Sequence, residues 1–384
     1  MRIAFDSWVL SSRLRYQGTY VYARSLIAQF KKVATQKDNE FLLFTCPRAA
    51  NDANSIEGAG GFEPLPSNWL RRDRIWRLAG ASFAASRARA DVMFSPTSSI
   101  FPWGSVPVVC TIHDVTPVVM PSHSRRVTML QRTLLAAAAR RSRGIIAVSE
   151  CSRDDLMERY GVSKDKIAVV YNGYDKTVFN ATPPDAARLK ALCQRFGIIR
   201  PYLFHHGVIQ PRKNLQRLIE AYRLLLARSR DLDVDLVLAG PLGWQYAAIV
   251  NAAGDGAGSR GRVILTGVLE TPDLATMIHG ARLVVVPSLY EGFCLPMVEA
   301  MACGTPTIAA NASCLPEVSG GILRYFNPLE IEDMAACMLQ ALEDAALRDE
   351  LARKGMERAA RFDWERCAME TLHVIGQHAR NGSN

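Results

Sequence analysis

Two glutamates, Glu291 and Glu299, stand eight positions apart in YEGFCLPMVEAMACGTP, residues 290–306. Taken singly, each has an ordinary use. Glu291 suits a solvated loop, and Glu299 suits the early turns of a helix, where an acid complements the helix dipole. The turn between them adds specificity. LVVVPS, just upstream, reads as a buried strand, Pro296 fits a first helical turn, and Gly304 with Pro306 marks the helix end. Such a turn delivers backbone N–H groups at a helix N-terminus, a ready anion site. A diphosphate could rest on that helix end, with an acid on each side accepting hydrogen bonds from hydroxyls.

A second stretch points to the same chemistry. FHHGVIQPRKN, residues 204–214, reads as a strand, a glycine and a loop entering a helix that Asn214 could cap. Adjacent cations on a loop are often only solvated surface. Arg212 and Lys213, however, fall at the carboxyl end of a strand, where an arginine fork and a lysine point charge can hold phosphate. Nearer the N-terminus, RYQGTYVYARSLI sets Gly18 in a strand–helix turn, suited to close backbone approach or to plain connection. VCTIHDVTP places His113 and Asp114 at another strand end.

These residues need a scaffold. Strand-like runs are Arg2–Phe5, Phe41–Thr45, Val92–Ser95, Val106–Ile112, Gly144–Val148 and Ile167–Val170. A second set is Tyr202–His205, Leu236–Ala239, Val263–Thr266, Leu283–Pro287 and Thr307–Ala309. Helical patterns such as Leu215–Arg228 and Ile331–Arg361 separate them. The alternation predicts an α/β fold with two doubly wound parallel sheets. A turn-rich linker, residues 172–185, divides residues 1–182 from residues 183–362. The helical stretch Phe362–Gln377 could pack back on the first domain, giving it residues 363–384. Ligands of such sheets bind at the carboxyl ends of strands, so the cleft between the two domains is the expected site.

Composition sets outer bounds. The chain of 384 residues is 49% hydrophobic and 22% charged, enough for two cores. No apolar run approaches the roughly 18 residues that cross a bilayer. The N-terminal stretch carries Asp6 and reads as a strand, not a signal peptide. Nine scattered cysteines suit reduced thiols in a cytoplasm. Residues 1–182 hold 25 Lys and Arg against 15 Asp and Glu, while residues 183–384 hold 21 against 22. The positive first half suggests an anionic partner there.

The combination E-G-F-x-L-P-x-x-E-A-M-A-C-G-x-P with an upstream P-R-K-N resembles the retaining GT-B glycosyltransferases of family 4. TIHD, AVSECSRDDL, VVYNGYD, LAGPLGW, CLPEV and FDWE extend the resemblance over nearly the whole chain. The motif order is most similar to bacterial enzymes of lipid-linked polysaccharide synthesis, often mannosyltransferases. The resemblance implies a GT-B fold: two Rossmann-like domains facing across a cleft, the first for acceptor and the second for nucleotide sugar. It implies that Arg212 and Lys213 neutralise the nucleotide diphosphate. Amides around Phe293, Cys294 and Leu295 would bind phosphate and sugar, with Gly207 and Gly292 in the same donor set. Glu291 would hold sugar hydroxyls, Glu299 the ribose diol, and His113 the transferred sugar. Gly18 would lie by donor phosphate or acceptor, and Gly267 and Val268 by the base.

Two positions depart from the family pattern. Val208 stands where many relatives carry an arginine, and Cys294 replaces the second glycine of E-G-F-G-L-P. If that site needs a positive φ, cysteine strains the turn.

The implied reaction moves a hexose, mannose from GDP-mannose being favoured over UDP- or dTDP-sugars, to a hydroxyl of a lipid-linked glycan. Fixed positive charge would stabilise the leaving diphosphate, so no cofactor and no metal is expected. A soluble acceptor, or a catalytically degenerate scaffold, are the alternatives. Asp233-Val234-Asp235 resembles a D-x-D metal motif but precedes its strand, the wrong end for a ligand. Two acids can also serve glycoside hydrolysis. Glu299, placed beside a helix N-terminus and two cations, would stay ionised and be a poor general acid. No interleaved aromatic–basic platform supports nucleic-acid binding, and no G-x-G-x-x-G supports a dehydrogenase. Residues 71–89 mix arginines with Ile75, Trp76, Leu78 and Phe83 and could lie on an anionic membrane. The expected location is cytoplasmic or peripheral on the inner face of the cytoplasmic membrane.

Overall fold

The computed structural model describes residues 1–10, 17–34, 39–45, 63–66, 76–99, 101–120, 125–229, 231–254 and 260–379. The chain forms two compact units: Met1–Gly173 with the chain from Asp363 onward, and Tyr174–Phe362. The change of unit at Gly173 falls inside the turn-rich segment 172–185.

The first unit is built on a seven-stranded parallel sheet of β1 (Arg2–Asp6), β2 (Glu40–Thr45), β3 (Glu63–Pro66), β4 (Val92–Ser95), β5 (Val108–Ile112), β6 (Gly144–Ala147) and β7 (Ile167–Val169). Their order is β3-β2-β1-β4-β5-β6-β7. The second has β8 (Tyr202–His206), β9 (Asp235–Ala239), β10 (Val263–Gly267), β11 (Leu283–Val286), β12 (Thr307–Ala310) and β13 (Arg324–Phe326), ordered β10-β9-β8-β11-β12-β13. Central strands such as β5, β8 and β11 are buried throughout, as parallel strands covered by helices on both faces must be. Two strands lack a strong sequence signal. β3 carries Pro64 and Pro66, tolerated because it lies at the sheet edge. β13 has three residues, also at an edge. In each sheet the chain winds outward from β1 or β8, then returns to the other side of that strand. The β1/β4 and β8/β11 junctions are therefore switch points, where carboxyl-end loops diverge and leave a crevice.

The helix Leu215–Arg228 forms as its periodicity predicts, burying Leu215, Leu218, Ile219, Tyr222, Leu225 and Leu226. The expected helix over Ile331–Arg361 is instead two, Ile331–Glu343 and Ala345–Ala359. Asp344 makes the break: its side chain accepts the Leu347 amide and caps the second helix.

The helix Trp364–His378 begins at Asp363, whose carboxylate accepts the Glu365 and Arg366 amides. It packs on the helix Gly18–Ala34 and on β5 and β6. A Cβ on Gly173 would collide with the Trp364 backbone, so the outgoing and returning chains lie side by side. The eight described cysteines are free thiols, and among the described residues no helix is long and apolar enough to cross a membrane.

The Asp233–Asp235 pair has structural partners. Asp235 is fully buried at the start of β9, meeting Arg200 and Arg262 at 3.4 Å and accepting the Arg262 amide at 2.9 Å. Asp233 pairs with Arg200.

Candidate active site

The loops after β8 and β11 bring Arg212, Lys213 and Glu291 together, with Ser313 from the loop after β12. After β8, Gly207 has φ +139, and a Pro211–Lys213 turn leads to Asn214 at φ 57. Asn214 sits at the N-cap position, but its side chain does not cap. Its Nδ2 donates to the Pro328 carbonyl at 2.7 Å, and its Oδ1 accepts from Arg217 at 3.1 Å. This fixes the turn on a neighbouring loop and aims Arg212 and Lys213 at the β11 loop. Arg212 donates to Glu291 Oε2 at 2.6 Å and to the Tyr290 carbonyl at 2.5 Å. Lys213 donates to Glu291 Oε1 at 2.6 Å.

Lys213 is 5% exposed and Glu291 6%. Burial alone would raise the Glu291 carboxyl, but Arg212 and Lys213 hold it down at about 2. The Ser313 hydroxyl accepts the Glu291 amide at 2.9 Å and donates to its carbonyl at 3.1 Å. Two cations thus share one carboxylate, an arrangement that leaves positive charge over for an incoming anion.

The turn itself runs through Gly292, Phe293 and Cys294 into the helix Leu295–Ala302, with Pro296 in its first turn. Cys294 has φ 70 and ψ 67, the left-handed conformation that glycine adopts without cost. The strain expected of cysteine here is present. Burial pushes its thiol up to about 12, so it is a packed neutral group. Phe293 packs edge-on against Phe362 at 5.2 Å. The first amides of a helix have no intrahelical acceptor, so Cys294 and Leu295 open this helix as donors.

Glu299 corrects one expectation. The cations engage Glu291, while Glu299 accepts a 2.9 Å hydrogen bond from His206 Nε2. Sequence reading assigned no role to His206 or to His205, although both stand in the quoted HHG. His205 Nδ1 donates to the Val285 carbonyl at 3.0 Å. Burial, then Lys213, lowers His205 to about 3, so it is a neutral imidazole with a bare Nε2. A Cβ on Gly207 would lie 3.4 Å from Lys213 Nζ and 3.9 Å from that Nε2, which places both atoms over the glycine. Among the described residues, His205 Nε2, His206 Nδ1 and Ser288 Oγ are buried without a hydrogen-bond partner. Buried polar atoms are normally satisfied, and His205 Nε2 stands beside Lys213 Nζ over Gly207. Gly267 (φ +70) and exposed Val268 end β10, two strands from β8 on the same edge.

In the first unit, Gly18 opens the helix Gly18–Ala34; residues 11–16 before it lie outside the described residues. His113, past β5, is lowered by burial, shares a 2.9 Å hydrogen bond between Nε2 and the Pro96 carbonyl, and packs edge-on against Tyr22. At the β1/β4 switch point Asp6, 1% exposed, accepts from Trp76 Nε1, the Trp8 amide and Ser95 Oγ, each at 3.2 Å. Within residues 71–89, positions 71–75 lie outside the described residues. Trp76 is fully buried, a core residue and not a membrane contact, whereas Leu78 and Phe83 are 42% and 39% exposed.

Comparisons with known proteins agree with this arrangement. Residues 18–178 match the family model described as Glycosyltransferase Family 4, and residues 199–358 that of Glycosyl transferases group 1. The O-antigen chain mannosyltransferase B of Escherichia coli is 29% identical over 69% of this chain and 69% of its own. The serotype-specific mannosyltransferase WbdA of Escherichia coli is 30% identical over 70% of this chain but only 32% of its own length. Among solved structures, Anabaena HepE in complex with UDP and glucose superposes with a TM-score of 0.74, covering 98% of this chain and 100% of that one at 20% identity. Sheet topology, loop-borne motifs and family matches coincide: the chain belongs to the family 4 glycosyltransferases of GT-B fold.

Proposed function

We propose that the chain transfers mannose from GDP-mannose, with retention, to a hydroxyl of a lipid-linked glycan in cell-surface polysaccharide synthesis. The observation that carries this reading is the buried Arg212–Lys213–Glu291 cluster beside a helix start. The mannosyltransferase names of the relatives support the sugar, and the basic first unit supports an anionic acceptor.

On this reading the bond from the anomeric carbon to the diphosphate oxygen breaks, and its electron pair stays on that oxygen. Arg212, Lys213 and the amides of Cys294 and Leu295 stabilise the charge as it develops. The acceptor oxygen bonds to the anomeric carbon from the same face, and its proton passes to the departing diphosphate. Glu291 holds sugar hydroxyls while paired to both cations, and Glu299 takes the ribose diol with His206 behind it. Gly267 and Val268 face the base. His113 and Gly18 keep the sugar and phosphate roles that the family resemblance gives them. Catalysis without a metal ion is part of the proposal, because the cations can do the electrophilic work. So is peripheral membrane contact, for which exposed Leu78, Phe83, Arg87 and Arg89 provide the chemistry.

The test is thermal unfolding with a panel of nucleotide sugars in EDTA, followed by a transfer assay. A ligand at about 100 times its dissociation constant adds roughly 2.7 kcal/mol. GDP and GDP-mannose are expected to stabilise the protein, and Lys213→Ala and Glu299→Ala to abolish the effect. Stabilisation by UDP- or dTDP-sugars alone would replace the donor, and dependence on a divalent ion would overturn the metal-free step. No stabilisation and no transfer would favour the scaffold.

A further inference from the structure

The first unit has an open cavity of about 760 Å³ at the amino ends of β5 and β6, the sheet edge opposite the His113 loop. Arg141, Arg143, Lys166 and His378 line it, Trp103 stands in its wall, and no acid is among its described lining residues. By contrast, Arg159, Arg188 and Arg366 pair with Asp155, Asp273 and Glu370.

The cavity cations are only partly engaged, and solely by neutral groups. Arg141 Nε donates to the Pro102 carbonyl at 2.9 Å and its guanidinium lies over Phe101. Lys166 gives two hydrogens to the carbonyls of Ala139 and Arg140 at 3.0 and 2.8 Å. Arg143 is exposed, and its side chain makes no hydrogen bond or ion pair among the described residues. The ring of His378 is seated by design of the backbone: a Cβ on Gly144 would collide with it. Burial, then Arg143 and Lys166, lowers His378, so the ring lies within the field of both cations.

We propose that this cavity binds a phosphoryl anion, a phosphate mono- or diester, gripped by Arg143 and Lys166 with Arg141 at the rim and the Trp103 indole as an apolar wall. The occupant removes the like-charge crowding that the fold leaves uncompensated. His378 then reports occupancy. The charged groups acting on it are Arg143 and Lys166, with Arg141 also in the lining; Cys110 beside Lys166 is a neutral thiol, pushed up to about 11 by burial. An anion offsets those cations and favours the imidazolium. Binding therefore takes up a proton and tightens as pH falls into the histidine range.

The experiment follows the imidazole resonances of His378, assigned with His378→Gln, through a pH titration of the full chain. Inorganic pyrophosphate and glucose 1-phosphate are the soluble probes, and phosphatidylglycerol vesicles, against phosphatidylcholine, the lipid probe. Pyrophosphate binding elsewhere on the protein does not move this local signal. A rise of the His378 midpoint with soluble phosphates identifies a free phosphorylated ligand. A rise with anionic vesicles alone identifies a lipid headgroup. Arg143→Ala is expected to weaken the effect about tenfold or more, with Arg143→Lys restoring part of it. An unmoved midpoint with every probe, or an undiminished response in Arg143→Ala, overturns the proposal.

Discussion

Each sheet buries a carboxylate at its switch point, Asp6 at the end of β1 and Glu291 just past β11. Both are almost fully buried, and their proton affinities move in opposite directions. Asp6 accepts only from neutral donors, and burial outweighs the hydrogen bonds of Trp76, Trp8 and Ser95 and the charge of Arg77, so its carboxyl is raised. Glu291 meets two cations and is held near 2. At similar burial, the direction of the shift follows whether cations pair directly with the carboxylate, as Arg212 and Lys213 do with Glu291. The first switch point is a hydrogen-bonded clamp that ties β1 to β4 and Trp76. The second is a charged cluster in which two cations share one carboxylate.

The largest expected effect breaks the charged member. Glu291→Gln leaves Lys213 buried without its carboxylate, which costs about 3–5 kcal/mol and lowers the melting temperature by several degrees. Glu291→Gln combined with Lys213→Met should regain part of that stability while restoring no transfer. A single variant as stable as the parent would mean that the cluster contributes nothing to the fold.

Next comes the pH dependence, where the two acids should oppose each other. Glu291 ionises more readily in the folded protein, so its stabilisation is complete above about 4.5 and drains away as pH falls toward 2. The advantage of the parent over Glu291→Gln should shrink across that window. Asp6 is raised, so its penalty is present above its folded-state value and is relieved as pH falls toward 3.8. Compared with Asp6→Asn, the parent should gain stability as pH falls. Urea unfolding at a series of pH values measures both, and slopes of equal sign would break the contrast.

The smallest effect concerns the turn that carries Glu291. Cys294→Ala keeps a Cβ at φ 70, whereas Cys294→Gly removes it, so the glycine variant should be the more stable by roughly 1 kcal/mol. Equal melting temperatures would show the turn unstrained.

Much of this was legible in the sequence. The interior strands announced themselves as short apolar runs, and the helix Leu215–Arg228 by its 3.6-residue period. PRKN and EGFCLP were legible because a phosphate site puts its charges and turn residues within one loop. What stayed hidden depends on partners far apart in the chain. His206 finds Glu299 across 93 positions and Trp76 finds Asp6 across 70, and no local pattern encodes either meeting. Ser313 looks like any loop serine until it closes on Glu291. Asp344 resembles a surface acid between two good helix formers, so the break it makes was invisible. β3, with two prolines in four residues, is a strand that only its edge position permits.

The return of Trp364–His378 to the first unit has a consequence in time. Residues leave the ribosome in order, and domains tend to fold as they emerge. The second unit is one continuous segment and can close as soon as Phe362 is out. The first cannot, although nearly all of it is made earlier. The surfaces of the helix Gly18–Ala34, β5 and β6 that receive the last helix stay uncovered through the synthesis of the entire second unit. The half of the molecule that is begun first is therefore the half that is finished last.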